Sequence, residues 1–190
     1  HCGRVIEHLR ETGRLDNTLV VFYSDHGEMA GDHRLMGKHH TNYESVIRVP
    51  AIVRHPATVP AGSQVEAVIE AVDLMPTILD AVGANIPRSV DGESRWAAGT
   101  GSDDVGSDAV LLEFATPEGE STKTLRTATH KYWVNERGEE ALFDLRSDPD
   151  EFVNRAGDPA AINDLQDMRE MLLRKLLNTE DRTRARTAPY

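Results

Sequence analysis

The sequence predicts an α/β protein in which the end of a mixed, mostly parallel sheet precedes a smaller antiparallel sheet and a C-terminal helix. Residues 19–23 form a continuous run of large apolar and aromatic side chains, which is typical of a strand buried on both faces of a parallel sheet. Four strand-like runs follow between residues 109 and 145, and residues 160–177 then keep a helical period. We expect the first part to span residues 1–105 and the second 106–190.

Helices and strands are expected to alternate in the first part. A helical apolar pattern ends at Gly13, and a second one begins near Asp73, a candidate N-cap, with Pro76 in the tolerated first turn. In chain order we expect a helix at 4–12, a strand at 18–23, a loop-rich stretch at 24–48, a strand at 49–54 and a helix at 73–83.

The second part is expected to be an antiparallel meander followed by a helix. Short turns separate the last three strand-like runs, which favours antiparallel neighbours. Asp158 and Pro159 are a cap residue and a first-position proline, and together they predict the start of the last helix. The strand-like runs lie at 109–114, 123–129, 131–135 and 141–145.

Composition and net charge limit the kinds of partner that the protein can bind. The 190 residues carry a formal net charge of −11, which argues against nucleic acid or anionic lipid because both attract basic surfaces. No apolar stretch reaches the about 18 residues that a membrane span needs. Cys2 is the single cysteine, so an intrachain disulfide is excluded.

Asp25 and His26 are the first candidate functional residues. They follow the strand at 18–23 directly, at the end where open α/β sheets bind ligands. A carboxylate and an imidazole on a turn that ends in Gly27 suit several divalent metals. Alternatively, Asp25 caps a following helix and His26 packs beside it. Hard cations take about six to eight oxygen ligands, so further ligands must come from elsewhere.

Lys38 is the second candidate, in a chain that has only four lysines. An ammonium group beside a metal would bind an anionic ester oxygen and stabilise charge on the leaving group. The alternative is an ordinary solvated lysine. His39 and His40 could donate to the same anion or transfer a proton, and we include His40 with Lys38 as a candidate catalytic residue.

Three other arrangements in the loop are weaker candidates. Asp32 and His33 are a possible second metal-binding pair. Glu44 and Arg48 are expected to form a structural ion pair that holds the loop. A zinc site of four histidines has a spacing that matches no closed zinc motif; its members would be His26, His33, His39 and His40.

A series of motifs along nearly the whole chain resembles one known family. Asn17–Glu28 is similar to the metal-binding strand and turn of the sulfatases of the alkaline-phosphatase superfamily. Further motifs follow in that family's order: Gly31-Asp32-His33, Gly37-Lys38, Tyr43-Glu44, Arg48-Val49-Pro50, Asp73–Leu79, Asp91-Gly92, Lys131-Tyr132-Trp133, Leu142–Leu145 and Asp148-Pro149.

The resemblance implies a role for each candidate. Asp25 and His26 match two ligands to a divalent metal, usually calcium, with manganese, magnesium and zinc as alternatives. Lys38 matches the lysine that contacts the sulfate and the leaving-group oxygen. The family's nucleophile is a formylglycine made from a Cys/Ser-x-Pro-x-Arg motif, which Cys2 and its following residues do not match. The family's N-terminal acidic metal ligands are also absent.

We therefore expect the chain to be the C-terminal portion of a sulfatase, which acts on a small anionic ester together with the N-terminal half of the same protein. A phosphonate monoester or phosphodiester hydrolase of the same superfamily is the nearest alternative, and a non-catalytic metal-binding module is another. Alone, the chain is expected to be inactive, to bind calcium weakly and to self-associate through the flank of the strand at 18–23.

Overall fold

The computed structural model describes residues 1–38, 41–101, 107–116 and 119–179. None of the helices in these ranges has the length and apolarity needed to cross a membrane. Short 3-10 turns lie at Leu15–Asn17, Asp32–Arg34, Ala71–Asp73 and Pro159–Ala161. The longer elements are α1 (Cys2–Glu11), β1 (Val20–Tyr23), α2 (Glu44–Ile47), β2 (Ala51–Arg54), α3 (Leu74–Ala81), α4 (Trp96–Gly99), β3 (Ala109–Ala115), β4 (Ser121–Thr127), β5 (His130–Asn135), β6 (Glu140–Asp144) and α5 (Ile162–Thr179).

The α/β class is confirmed, but β1 is not the doubly buried strand that its apolar run predicts. It pairs antiparallel with β2, from Val20 opposite Arg54 to Tyr23 opposite Ala51. Phe22 is 45% exposed, because β2 is its only strand neighbour among the described residues. No parallel pairing occurs in those ranges, so the mostly parallel character of this sheet stays a prediction.

The second sheet confirms the predicted meander. Its strands lie in the order β3-β4-β5-β6, all antiparallel. Leu125, Tyr132 and Leu142 are register partners across three strands, and side chains in one such row share a face. The α5 side chains Leu165 and Met168 belong to the same buried cluster, so this helix covers the sheet. The boundary predicted between residues 105 and 106 lies outside the described residues.

Both predicted helix starts are found, but the two aspartates act differently. Asp158 accepts a hydrogen bond from Ala160 N at 2.9 Å, as an N-cap residue should. Asp73 is the N-cap residue of α3, but its side chain makes no capping hydrogen bond to that helix. Its carboxylate instead accepts from Glu70 N at 3.2 Å and from Glu93 N at 2.9 Å, because it closes a capping box on the preceding 3-10 turn. The buried Asp73 therefore ties two loops together.

Candidate functional site

The candidate site is the turn that follows β1. Ser24 Oγ donates to His26 O at 2.9 Å, and His26 N donates to Asp25 Oδ1 at 2.9 Å. These two local hydrogen bonds set the turn as soon as the strand ends at Tyr23. They bring Asp25 Oδ2 to 3.6 Å from His26 Nε2, so one small cation could contact both atoms.

The protonation of the His26 imidazole follows from its neighbours. Its Nδ1 lies 2.7 Å from Gly27 O. A carbonyl oxygen can only accept a hydrogen bond, so Nδ1 carries the proton and the Nε2 lone pair is left available. That lone pair faces Lys38 Nζ at 3.3 Å. A histidine held in this tautomer is prepared to ligate a metal through Nε2.

Asp25 is suited to the same role. The hydrogen bond from the His26 backbone N–H lowers the pKa of Asp25, and the charge of Lys38 lowers it further. The carboxylate is therefore ionised at neutral pH, as a metal ligand must be. Its side chain is 87% exposed, so its oxygens are open to an incoming cation.

Gly27 locks the turn against α2. Its N–H donates to Val46 O at 2.6 Å, and the N–H of Glu28 donates to Ser45 O at 3.1 Å. A Cβ atom on Gly27 would lie 2.0 Å from Ser45 O, a distance that no side chain tolerates. Glycine is therefore required here by the close approach of two backbones.

The segment after this turn has an unusual backbone. Ala30, His33 and Arg34 all have positive φ angles, of 48°, 50° and 60°. The His33 ring stacks on Tyr43, with centroids 3.8 Å apart and planes at 15°, and it also contacts Phe152 at 4.8 Å. The imidazole of His33 thus lies against two aromatic rings, and its observed partners are ring partners.

Three of the four predicted site residues, Asp25, His26 and Lys38, lie within the described residues and are close together. Within ranges 1–38, 41–101, 107–116 and 119–179, no three His, Cys, Asp or Glu side chains converge as a metal site. Asp25 and His26 are thus two candidate ligands in those ranges. His39 and His40 lie outside the described residues, so the catalytic role expected of His40 stays a prediction.

The ion pair expected between Glu44 and Arg48 is wrong. Glu44 instead lies 3.2 Å from Arg126 of β4 and 3.3 Å from Lys131 of β5. Burial alone would raise the pKa of Glu44, but these two cations offset that effect and hold it below its usual value. Local spacing suggested Arg48, whereas the actual partners are about 80 residues away in sequence.

Sequence reasoning also missed Glu151, which is buried against Lys131. A signal was present, because Lys131 begins one of the family-like motifs and Glu151 lies two residues beyond another, Asp148-Pro149. Neither motif carries an obvious chemical pattern by itself. The connection between the two motifs is visible only in the structure, where Lys131 contacts Glu151.

The chain is similar in sequence and in fold to several known proteins. The chain is 36% identical to a multifunctional alkaline phosphatase superfamily protein of Trinickia caryophylli, over 95% of this chain and 38% of that protein. It is 33% identical to an arylsulfatase of Clostridium perfringens, over 94% of this chain and 38% of that protein. A solved phosphonate monoester hydrolase from Silicibacter pomeroyi superposes with a TM-score of 0.87 at 37% identity, covering 96% of this chain and 39% of that one.

An Asp-His turn at the end of a strand, on an α/β fold shared with these proteins, defines a member of the alkaline-phosphatase superfamily. Residues 1–84 match the sulfatase family model. The chain belongs to the sulfatase family. It spans 38% of the length of both curated relatives.

Proposed function

We propose that the whole protein hydrolyses a sulfate ester, with Asp25 and His26 as metal ligands and Lys38 as a ligand to the anionic ester group. The observation that carries this proposal is the convergence of three side-chain atoms. His26 Nε2 lies 3.6 Å from Asp25 Oδ2 and 3.3 Å from Lys38 Nζ. The membership of the sulfatase family and the similarity to an arylsulfatase support the choice of a sulfate ester.

The donor set fits a divalent metal, and calcium is our first choice, with manganese, magnesium and zinc as alternatives. Asp25 offers an ionised, exposed carboxylate, and His26 offers an Nε2 lone pair with a fixed tautomer. A bound cation would supply Lewis-acid neutralisation of the ester oxygens. Two protein ligands leave such a cation mostly hydrated, so we assign the remaining ligands to the N-terminal half of the same protein.

Lys38 has a defined task in this scheme. Its ammonium group now donates to the His26 Nε2 lone pair. A lone pair that is engaged by a metal cannot accept this bond, so Lys38 is then free to donate to a sulfate oxygen and to the leaving-group oxygen. His40 is retained as a second proton donor. We place the nucleophile outside this chain, because Cys2 does not match the expected motif.

Two substitutions in the full-length protein test the assignment. We expect Asp25→Asn and Lys38→Ala each to lower kcat/KM for an aryl sulfate by about 100-fold or more, since each removes a group that stabilises developing negative charge. Asp167→Asn on the exposed face of α5 and Lys123→Ala on β4 are matched controls. Wild-type turnover by either site variant would refute the proposal.

The proposed metal-ligand role is tested separately from the choice of ester substrate. We expect a chelator to abolish turnover by the full-length protein and calcium to restore it. Calcium titration should show weaker binding to Asp25→Asn than to the Asp167→Asn control. Full activity in the chelated, metal-free protein would rule out the metal-ligand role.

Phosphonate monoester or phosphodiester hydrolysis is the second candidate function. One observation favours it: the solved Silicibacter pomeroyi phosphonate monoester hydrolase superposes on this chain with a TM-score of 0.87 at 37% identity. Side-by-side measurement of kcat/KM for an aryl sulfate, an aryl phosphonate monoester and a phosphodiester decides between the two. A larger value for either phosphorus ester would replace sulfate as the substrate.

We also propose that the 190-residue chain is inactive by itself. Its candidate site brings Asp25, His26 and Lys38 together, and Cys2 does not match the proposed nucleophile motif. Phe22 and Ile52 are 45% and 60% exposed on the β1–β2 pair, which favours self-association of the isolated chain. Turnover of an aryl sulfate by the isolated chain, abolished by Asp25→Ala, would show that the nucleophile lies within it.

A further inference from the structure

We propose that Lys131 and Glu151, which lie in the second sheet and in the turn after it, are positioning residues for the Asp25-His26 turn and act through α2. This inference rests on the proposed function, since it assigns the turn a metal site to be positioned. It adds two residues to which neither a metal contact nor a substrate contact is assigned.

The first step is a buried and fully paired ammonium group. Lys131 has no solvent exposure and Glu151 only 3%. Lys131 Nζ forms an ion pair with Glu151, donates to Asn42 O at 2.7 Å and contacts Glu44 Oε1 at 3.3 Å. The contacts to Asn42 and Glu44 are hydrogen bonds and the contact to Glu151 is an ion pair, so three oxygens surround the buried charge. Loss of one partner would leave a buried charge under-solvated, which is strongly unfavourable.

The second step is the turn that presents Glu151. Asp148 accepts hydrogen bonds at its carboxylate from Phe152 N at 3.0 Å and from Val153 N at 2.8 Å. Glu151 itself has a φ angle of 59°, a conformation that a non-glycine residue rarely adopts. Strained positions of this kind persist where surrounding contacts hold them. Here the contact is Glu44 N, which donates to Glu151 Oε2 at 2.7 Å.

The third step runs from α2 to the imidazole. Glu44 begins α2, and the next two residues present their carbonyl groups to the site turn. Ser45 O accepts from Glu28 N at 3.1 Å, and Val46 O accepts from Gly27 N at 2.6 Å. Gly27 O in turn accepts the Nδ1 proton of His26 at 2.7 Å. Consecutive contacts therefore link the buried pair to the metal-binding nitrogen.

Additional contacts hold the segment around the start of α2 in place. Arg126 holds the Glu44 carboxylate at 3.2 Å, and Asn42 Nδ2 donates to Thr124 Oγ1 at 2.6 Å. Phe152, next to Glu151, lies against the His33 ring. The residues on either side of the start of α2 are thus attached both to the second sheet and to the turn at 148–153. Removal of a contact that orients a metal ligand in this way typically lowers metal affinity or activity by about 10–100-fold.

The experiment compares Glu151→Gln with a matched pair on the same sheet, in the full-length protein. Glu113→Gln and Lys123→Met disrupt an exposed ion pair between β3 and β4 and serve as controls. Three quantities are measured: amide hydrogen exchange at Gly27 and Glu28, calcium affinity, and kcat and KM for the ester. Lys131→Met repeats the test by removing the other member of the buried ion pair. If Lys131→Met does not fold, Glu151→Gln alone decides the test.

We expect Glu151→Gln to speed exchange at Gly27 and Glu28 by about tenfold or more. Calcium binding should weaken by about tenfold and kcat should fall with little change in KM, while the core amide of Leu125 keeps its protection. If the full-length protein hydrolyses no ester, the proposed function fails, and the exchange and calcium measurements still decide the positioning role. Unchanged exchange at Gly27 and Glu28 in a folded Glu151→Gln protein would overturn it.

Discussion

Replacement of Gly27 by alanine is the sharpest perturbation of the site turn. The added Cβ would lie 2.0 Å from Ser45 O and 3.0 Å from Ser45 C. Ordinary van der Waals contact begins at 3.4 Å, so the two backbones must separate by 3.4 − 2.0 = 1.4 Å. Because both opposing atoms belong to the main chain, no side-chain rotation can relieve the clash.

The expected cost has two parts. Overpacking of a tight contact costs about 1–3 kcal/mol. A separation of this size also breaks the hydrogen bonds that Gly27 and Glu28 donate to α2, at about 1 kcal/mol each. We therefore expect Gly27→Ala to lower the free energy of unfolding by about 3–5 kcal/mol. Displacement of the adjacent His26 by about 1 Å should lower kcat/KM by about 100-fold.

Urea unfolding of the full-length protein measures the first effect, and ester hydrolysis with calcium titration measures the second. Gly157→Ala is the matched control, since a Cβ there has no atom within 4 Å and the change should stay within about 0.5 kcal/mol. Wild-type stability and turnover in Gly27→Ala would show that the two backbones do not approach as closely as described.

Two further predictions concern stability. The pKa of Glu44 is lowered in the folded protein because Lys131 and Arg126 outweigh the effect of burial; its stabilisation is therefore present above the unfolded value of about 4.3 and is lost as the pH falls through the folded pKa. Glu44→Gln should flatten the acid-side fall of the unfolding free energy, and an unchanged slope would contradict this. Leu165→Ala should cost about 2–5 kcal/mol in urea unfolding, whereas Leu173→Ala, at a position 58% exposed, should cost far less; equal losses would refute the assigned core.

Local features of the chain were predictable because their causes lie within a few residues. Asp158 and Pro159 start the last helix through contacts no more than two residues away, and the structure confirms them. Asp25 and His26 come together for the same reason, since their turn is set by the side chain of Ser24 and by their own backbone. The approach of Lys38 to His26 also spans only twelve residues.

Features with distant causes were not predictable. Asp73 is the N-cap residue of α3 as predicted, but its carboxylate does not bond to that helix, because it accepts hydrogen bonds from Glu70 N and from Glu93 N, twenty residues later. The run at residues 19–23 predicted burial on both faces, but the exposure of Phe22 depends on which strands lie beside β1. An apolar run shows that a strand is suited to burial, and only the neighbouring elements decide how much of the strand is buried.

The sequence by itself determined the α/β class, the meander with its closing helix, and the closeness of Asp25, His26 and Lys38, because periodicity and short turns act locally. Only the tertiary structure decided what holds these residues in place. Glu44 pairs with Lys131 and Arg126 rather than with Arg48, and Glu151 reaches the start of α2 from the turn that follows the second sheet. A buried charge is satisfied by whichever opposite charge the fold brings within reach, and sequence spacing carries no record of that choice.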